Sequence, residues 1–425
     1  MAHPFTKSSR IAVVGSGEFG LSTAYYLLQA GYKSVTLFDR TRPPVPDGSS
    51  VDISRIVRAD YDDPVYARMV VEALELWKTT YNDHYYPSGL LCMCPTTNPK
   101  YLADSLPVVK DLGLPVTEFS SGKAAADYLS LSQDALSGLA GYLSHEAGWV
   151  YAAKAVKQLF EMCLDQGAIF VEKAVADLIY AEDGHSVTGL KLEGGEMFQA
   201  DVVIVACGAW TDTLVPTGER LLATGQPVAF VKLTEAEYEK YKHLPIYINF
   251  ESGFYVFPPH PDSHLVKAAR HSYGYTNYTE VEGGQRTTSV PPPVAYARGE
   301  QPLPRTNLPK DTNECIRIGL EQYLGSDIAS RSYDSARVCW YTDTPTKDFL
   351  FDYKPGVKNL FVASGGSGHG LKFLPIIGKY AVGCFERSLD KSLLEKFSWR
   401  EIPNKLEDKS RGGTPLMSLE EAEEA

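Results

Sequence analysis

Residues 10–39 constrain this chain more than any other stretch. An apolar run over 11–14 (IAVV) leads into GSGEFG over 15–20. A helix pattern follows over 21–30, and a second strand pattern over 34–38 ends at Asp39. Strand, glycine turn, helix and strand in that order make a βαβ unit and imply a parallel sheet covered by helices. Gly15 permits the tight turn, and Gly17 lets the backbone approach a pyrophosphate at the positive end of the helix. Gly20 allows helix and strand to pack closely. Asp39, with Arg40 beside it, can accept hydrogen bonds from a ribose diol. The unit predicts a bound dinucleotide without separating NAD from FAD, so an NAD-dependent dehydrogenase stays open at this point.

Two later segments favour FAD. Residues 201–206 (DVVIVA) read as a buried strand running into Cys207, Gly208, Ala209 and Trp210. This resembles the later FAD-contacting strand of flavoproteins with two dinucleotide folds. Residues 171–175 (VEKAV) resemble the segment that lays backbone against adenine in those proteins, which places Val175 there.

Composition bounds the rest. At about 100–200 residues per domain, 425 residues predict two or three domains. Lys and Arg number 41 against 53 Asp and Glu, a net charge of −12 that argues against nucleic acid or anionic membrane as a partner. The 44% hydrophobic and 22% charged content excludes global disorder. Seven cysteines without a C-x-x-C give neither a disulfide framework nor a zinc site, and no metal is expected. No apolar run approaches the ~20 residues of a membrane helix. No signal peptide is visible, and the closing Glu423, Glu424 and Ala425 do not form a Ser-Lys-Leu address. A soluble, cytoplasmic protein is expected. Helices are expected over 64–82 and 149–166, strands near 168–172 and 187–192, and an antiparallel sheet over 226–270. Residues 286–306 read as an extended Pro-rich connection, and the chain from Glu401 as a mobile polar tail.

The densest signal lies near the C-terminus. RVCWYTDTP over 337–345 is followed by GGSGHGLKF over 365–373. The second run reads as a glycine-rich loop opening a helix, whose N–H groups can meet an anionic oxygen. Together the two runs resemble those of the sarcosine oxidase-like flavoenzymes: monomeric sarcosine oxidase, pipecolate and saccharopine oxidases, and the fungal fructosyl amino acid oxidases. The likeness spans nearly the whole chain. It implies FAD attached covalently through Cys339, with Gly366, Gly368, His369, Gly370 and Lys372 around the cofactor. It also implies a small amine substrate, dioxygen as the second substrate, a monomer, and a peroxisomal location as the alternative to the cytoplasm.

Further roles follow from the same resemblance. DISRIVR over 52–58 matches a family segment that sets Ser54 and Arg55 near the flavin and Arg58, with Lys372, on the substrate carboxylate. A guanidinium beside an ammonium is a sensible carboxylate clamp. Lys267 matches the lysine over the flavin where oxygen reacts, and Tyr255 and His271 match the substrate-site tyrosine and histidine. The chain departs from the fructosyl enzymes, which carry an acid at the position of His271 and a lysine near Arg55. Arg270 would suit a second substrate carboxylate, provided that it and not its neighbour faces the site.

The expected fold is α/β (α+β). An FAD-binding Rossmann-like domain is assembled from 1–84, 148–222 and 345–400. A substrate domain on a mostly antiparallel sheet takes 85–147 and 223–344, and 401–425 is a tail. The expected activity is oxidation of the secondary amine of an N-substituted or cyclic L-amino acid, releasing hydrogen peroxide. Alternatives are a fructosyl amino acid oxidase and a biosynthetic oxidase whose imine is trapped intramolecularly.

Overall fold

The structure is a computed structural model that describes residues 5–132, 135–292, 308–401 and 409–424. The βαβ unit forms as expected: strands Arg10–Val14 and Ser34–Asp39 lie parallel, joined by the helix Glu18–Gln29. They belong to a six-stranded sheet in the order Leu350–Tyr353, Leu360–Ser364, Val202–Val205, Arg10–Val14, Ser34–Asp39, Ile169–Glu172. All neighbours are parallel except the Leu350–Tyr353 edge. Strands buried on both faces need no polar alternation. Ile11 and Val13 face a core shared with Leu21, Leu27, Leu159 and Ile377, whereas Ala12 and Val14 face Leu178, Leu190 and Leu192. The latter three come from a small sheet of Val175–Tyr180, Val187–Leu192 and Met197–Gln199.

The second large sheet is mostly antiparallel. Its centre is Leu222–Lys232, flanked by Leu265–Arg270 and by Ser335–Asp343, with Phe254–Val256, Ile246–Asn249 and Leu90–Pro95 following outward. A helix, Glu235–Tyr241, interrupts the stretch expected to be all sheet; Thr234 and Glu237 form its reciprocal capping box. The helix expected over 64–82 runs Pro64–Lys78, opened by Pro64 and by Asp63, which accepts from the Val65 N–H at 2.8 Å. That expected over 149–166 starts at Ala152, because residues Gly148–Val150 pair with Arg55–Val57 instead.

Two expectations are corrected. The loop 365–370 opens only the 3-10 turn Leu371–Phe373, and the helix begins at Ile377. Pro375 has no N–H for the carbonyl of residue 371, so the turn does not propagate. Residues 409–424 are not a mobile tail. Met417–Ser418 pairs with Tyr275–Thr276, and Leu419 and Ala422 are buried beside Trp340. Of the Pro-rich connection, Pro293, Pro302 and Pro304 lie outside the described residues.

Helix Ile377–Phe385 crosses Glu18–Gln29 at Gly378, where a Cβ would stand 1.9 Å from the Ser22 carbonyl oxygen. Gly378→Ala should therefore force the helices apart and lower stability by about 1–3 kcal/mol. Denaturant unfolding of the two proteins at equal slope checks it; equal midpoints would show that the crossing is slack.

Candidate active site

Two cavities meet between the large sheets. The first, about 290 Å³, opens at the carboxyl ends of the parallel strands, the usual ligand position in such sheets. Gly15, Gly17, Asp39, Arg40, Val175, Gly208 and Trp210 line it. So do Cys339, Gly366, Gly368 and Gly370 from the C-terminal runs. The second, about 340 Å³, is lined by Arg58, Tyr255, Lys267, His271, His369 and Lys372. Arg55, Cys339, Tyr341, Gly368 and Leu371 line both.

The first cavity fits a dinucleotide. At Gly15 (φ +98°) a Cβ would lie 2.4 Å from the Ala206 carbonyl oxygen. At Gly20 it would lie 1.8 Å from that of Gly15, so Gly20 works through packing and does not line the cavity. The Asp39 carboxylate accepts from the Ser16 N–H at 2.6 Å and the Arg40 N–H at 2.8 Å, which fixes it at the strand end. Gly368 (φ +74°) is required because a Cβ there would stand 2.4 Å from the Tyr341 ring.

The floor of the second cavity is one face of the antiparallel sheet. Paired residues project to the same side, and so does every second residue along a strand. Lys267 is paired with Phe230, Cys339 with Gln226, and Tyr255 with Ala269. Positions 267, 269 and 271 thus share the floor, and position 270 faces away. Arg270 is accordingly bound to Asp311 at 2.8 Å and to the Ser252 carbonyl at 3.1 Å, outside the cavity lining. The expectation that it meets a substrate carboxylate is corrected by this alternation. Ser54 also stands off both linings; its carbonyl accepts from Lys267 Nζ at 2.8 Å.

Arg58 and Lys372 line the same cavity from outside this sheet. Arg58 is buried in an aromatic box, 5.2 Å from the Tyr61 ring centre, 5.5 Å from Tyr101 and 5.8 Å from Phe250. Lys372 Nζ donates to the Tyr61 hydroxyl and the His369 carbonyl, each at 3.0 Å. His369 Nε2 faces the Lys347 carbonyl at 2.9 Å, so that nitrogen carries the proton and Nδ1 accepts from Tyr61 at 3.0 Å. Burial, and then Arg58, push the Lys372 ammonium well below its ordinary range, against Glu18.

Behind Lys267 lies a group that sequence reading passed over. The Asp52 carboxylate accepts from Lys267 Nζ at 2.6 Å, pairs with Arg337 at 3.0 Å, and is bonded by Arg55. Burial alone would raise this carboxyl, but Arg55, Lys267 and Arg337 hold it far below the usual carboxylate range. Burial and Arg55 in turn depress the Lys267 ammonium, which Asp52 opposes. Asp52 was legible as the lone acid in DISRIVR; Tyr61 and Tyr101 carried no local signal. Arg55 Nη2 also lies 3.0 Å from Cys339 Sγ.

Comparison with known proteins agrees with this geometry. The profile of FAD dependent oxidoreductases matches residues 10–383. The chain belongs to that family. It is 29% identical to L-saccharopine oxidase of Schizosaccharomyces pombe over 98% of this chain and 99% of the relative. It is 27% identical to a monomeric sarcosine oxidase of Bacillus sp. over 87% and 90%. Among solved structures, amadoriase I of Aspergillus fumigatus superposes with a TM-score of 0.82 at 25% identity, covering 99% of this chain and 97% of that one. Fructosyl peptide oxidase from E. terrenum gives 0.86 at 24%, covering 98% of each. As an FAD-dependent oxidoreductase, the chain has in its first cavity the donors and glycines that FAD requires.

Glu18 lines the first cavity at the start of the dinucleotide helix, and burial raises its carboxyl to about 7, against Arg55 and Lys372. An acid whose folded value exceeds its unfolded one, 4.5 here, costs stability as pH rises through that interval. Glu18→Gln should therefore match the parent near pH 4 and be more stable than it at pH 8. Thermal unfolding at the two pH values decides; a gap of equal size at both would contradict the burial argument.

Proposed function

We propose that the protein oxidises the secondary amine of an N-substituted or cyclic L-amino acid, passing the electrons to dioxygen and yielding an imine, then a carbonyl product, and hydrogen peroxide. One observation carries the proposal. Arg58 and Lys372 converge in a cavity that shares Arg55, Cys339, Tyr341, Gly368 and Leu371 with the dinucleotide cavity. A carboxylate held by the two cations leaves the amine beside that shared wall. The names of the relatives, oxidases of saccharopine, sarcosine and N-methyl-L-tryptophan, support the same substrate class.

FAD, when bound, supplies the two-electron oxidant. The chain's own groups do the rest. Arg58 binds the carboxylate in a bidentate fork. Lys372, driven toward its neutral form by burial, takes up a proton as the carboxylate arrives, and Tyr61 and the His369 carbonyl orient its Nζ. An ammonium has no lone pair to stabilise the developing imine, so the amine must be neutral to react. His271, on the floor, stands where its imidazole can hold the proton the amine gives up, and the Tyr255 phenol, kept protonated by burial, can hydrogen-bond the amine. Lys267 offers a cation at the place where charge develops as dioxygen is reduced, with Asp52 fixing its position. Residues 1–84, 148–222 and 345–400 then serve the cofactor and 85–147 and 223–344 the substrate, in a chain that acts as a monomer. We place it in the cytoplasm; no helix of the described residues is long and apolar enough to cross a membrane.

We further propose that Cys339 carries FAD through a thioether. Its place in the wall shared by the two cavities, with Arg55 beside its sulfur, supports the assignment. Acid precipitation should leave yellow colour with the polypeptide, and Cys339→Ala should move that colour to the supernatant. Colour in the supernatant of the parent protein would refute the linkage while leaving flavin binding intact.

The activity itself is tested by peroxide release across sarcosine, N-methyl amino acids, pipecolate, saccharopine and fructosyl-valine. Turnover of at least one of the first four classes is expected. Turnover confined to fructosyl-valine would replace this reading with a fructosyl amino acid oxidase.

A further inference from the structure

The segment that begins at Lys409 returns to the substrate cavity. Ser410 lines it, and Arg411 is driven into the protein beside it, its side chain 5% exposed. That one guanidinium reaches three separate parts of the chain. It forks onto Asp343, with Nη1 at 2.8 Å from Oδ2 and Nη2 at 2.6 Å from Oδ1. Nη1 also faces the Ser272 carbonyl, and Nη2 the Ser367 carbonyl, each at 3.4 Å. Asp343 ends the strand that carries Cys339 and Tyr341. Ser272 follows His271, and Ser367 precedes Gly368 and His369 in the glycine-rich loop. Each of these three parts therefore supplies wall to the second cavity.

The contacts around Arg411 extend the bracing. Its guanidinium carbon lies 5.7 Å from the centre of the Tyr341 ring, the ring that presses on Gly368. The Gly412 N–H donates to the His271 carbonyl at 3.0 Å. Asp343 Oδ2 accepts from the Thr224 hydroxyl at 2.7 Å. With its proton so used, that hydroxyl oxygen accepts from Gln226 Nε2 at 3.4 Å. Gln226 is itself part of the cavity lining. Downstream, Thr414 donates to Asp311 at 2.9 Å, and the Leu419 and Ala422 side chains are buried, so the segment is also anchored beyond Arg411.

Energy alone does not account for this arrangement. A buried ion pair is close to neutral in stability when compared with apolar residues of the same volume, and carbonyl contacts at 3.4 Å are long for hydrogen bonds. What the pair supplies is geometry. A planar guanidinium can fork onto both oxygens of a carboxylate and still reach two carbonyls, four contacts that the three donors of an ammonium cannot make. Arg411 is not among the residues lining either cavity, so it acts through others.

We propose that Arg411 is a positioning residue for substrate recognition, setting the spacing between the His271 turn, the Tyr341 strand end and the 365–370 loop. The inference rests on the reading of the second cavity as the substrate site. Its consequence is that affinity for the substrate carboxylate depends on a segment that contributes no charge to the clamp.

The test removes both charges together, as Arg411→Leu with Asp343→Asn, so that no buried ion is left unpaired. Arg411→Lys keeps the charge and loses the fork. Both should retain the parent's flavin content and absorption maximum. Both should weaken binding of tetrahydrofuran-2-carboxylate, read from its perturbation of flavin absorption, by at least about tenfold, the ratio corresponding to ~1.4 kcal/mol. KM for the amine should rise in parallel while kcat falls much less. Lys409→Ala, which loses an exposed pair with Asp104, should change nothing. Unchanged affinity and KM in the double variant, or losses that vanish when normalised to flavin content, would overturn the proposal. If the parent protein gives no response to the carboxylate, the substrate-site reading fails, and amide hydrogen exchange over 271–274 and 365–370 decides the positioning role. Faster exchange in both segments in the double variant supports it, and unchanged exchange overturns it.

Discussion

The Asp52 carboxylate is the interaction on which the site depends. Arg55 comes from its own segment, Lys267 from one strand of the antiparallel sheet and Arg337 from another, and all three bond to a side chain 1% exposed. One anion thus joins the loop leaving the dinucleotide fold to the floor of the second cavity. Three cations around a single carboxylate also leave positive charge unbalanced, and Arg55 delivers it to both cavities. Were the loop to shift, Arg55 would leave Cys339 and Lys267 would lose its fixed place. The link between the two sheets is electrostatic at this point, in surroundings where charges interact strongly because water is excluded.

How much of this the sequence disclosed follows from the range of each interaction. The glycine fingerprint is local: Gly15 and Gly20 answer to atoms within the same βαβ unit or at the end of its adjacent strand, so the residues carry the signal themselves. The runs around Cys339 and Gly368 were legible for a related reason, since each is a continuous stretch whose residue types match a family pattern. What was not legible depends on residues brought together across the fold. Tyr61 matters because Lys372 and His369 meet it from 311 and 308 positions away. No local pattern announces such a contact. The segment after Glu401 misled for the same reason. Its polarity suggested solvent, yet Arg411 is polar because its partners are Asp343 and backbone carbonyls inside the protein.

Strand alternation resolves the remaining ambiguity between neighbours. Arg270 and His271 are adjacent and both basic, and composition cannot choose between them. The pleat does: Lys267 on the floor commits 269 and 271 to the same face and 270 to the other, where Asp311 waits. Two basic groups one residue apart are thereby set on different faces, one lining the second cavity and one beneath the sheet.

The charge distribution completes the argument for an anionic ligand. The chain as a whole is acidic, at −12, yet Arg55, Arg58, Lys267 and Lys372 all face the second cavity. Asp52 answers the first and third of these. Arg58 is surrounded by aromatic rings and acted on by Asp60, whereas Lys372 is bonded to a hydroxyl and a carbonyl and only partly offset by Glu18. A buried cation held by dipoles and π faces is stabilised less well than one beside a carboxylate, and the downward displacement of the Lys372 ammonium by burial expresses that deficit. A ligand carboxylate placed between Arg58 and Lys372 removes it. On the proposed function, the clamp favours a carboxylate because its arrival offsets the burial of the Lys372 ammonium.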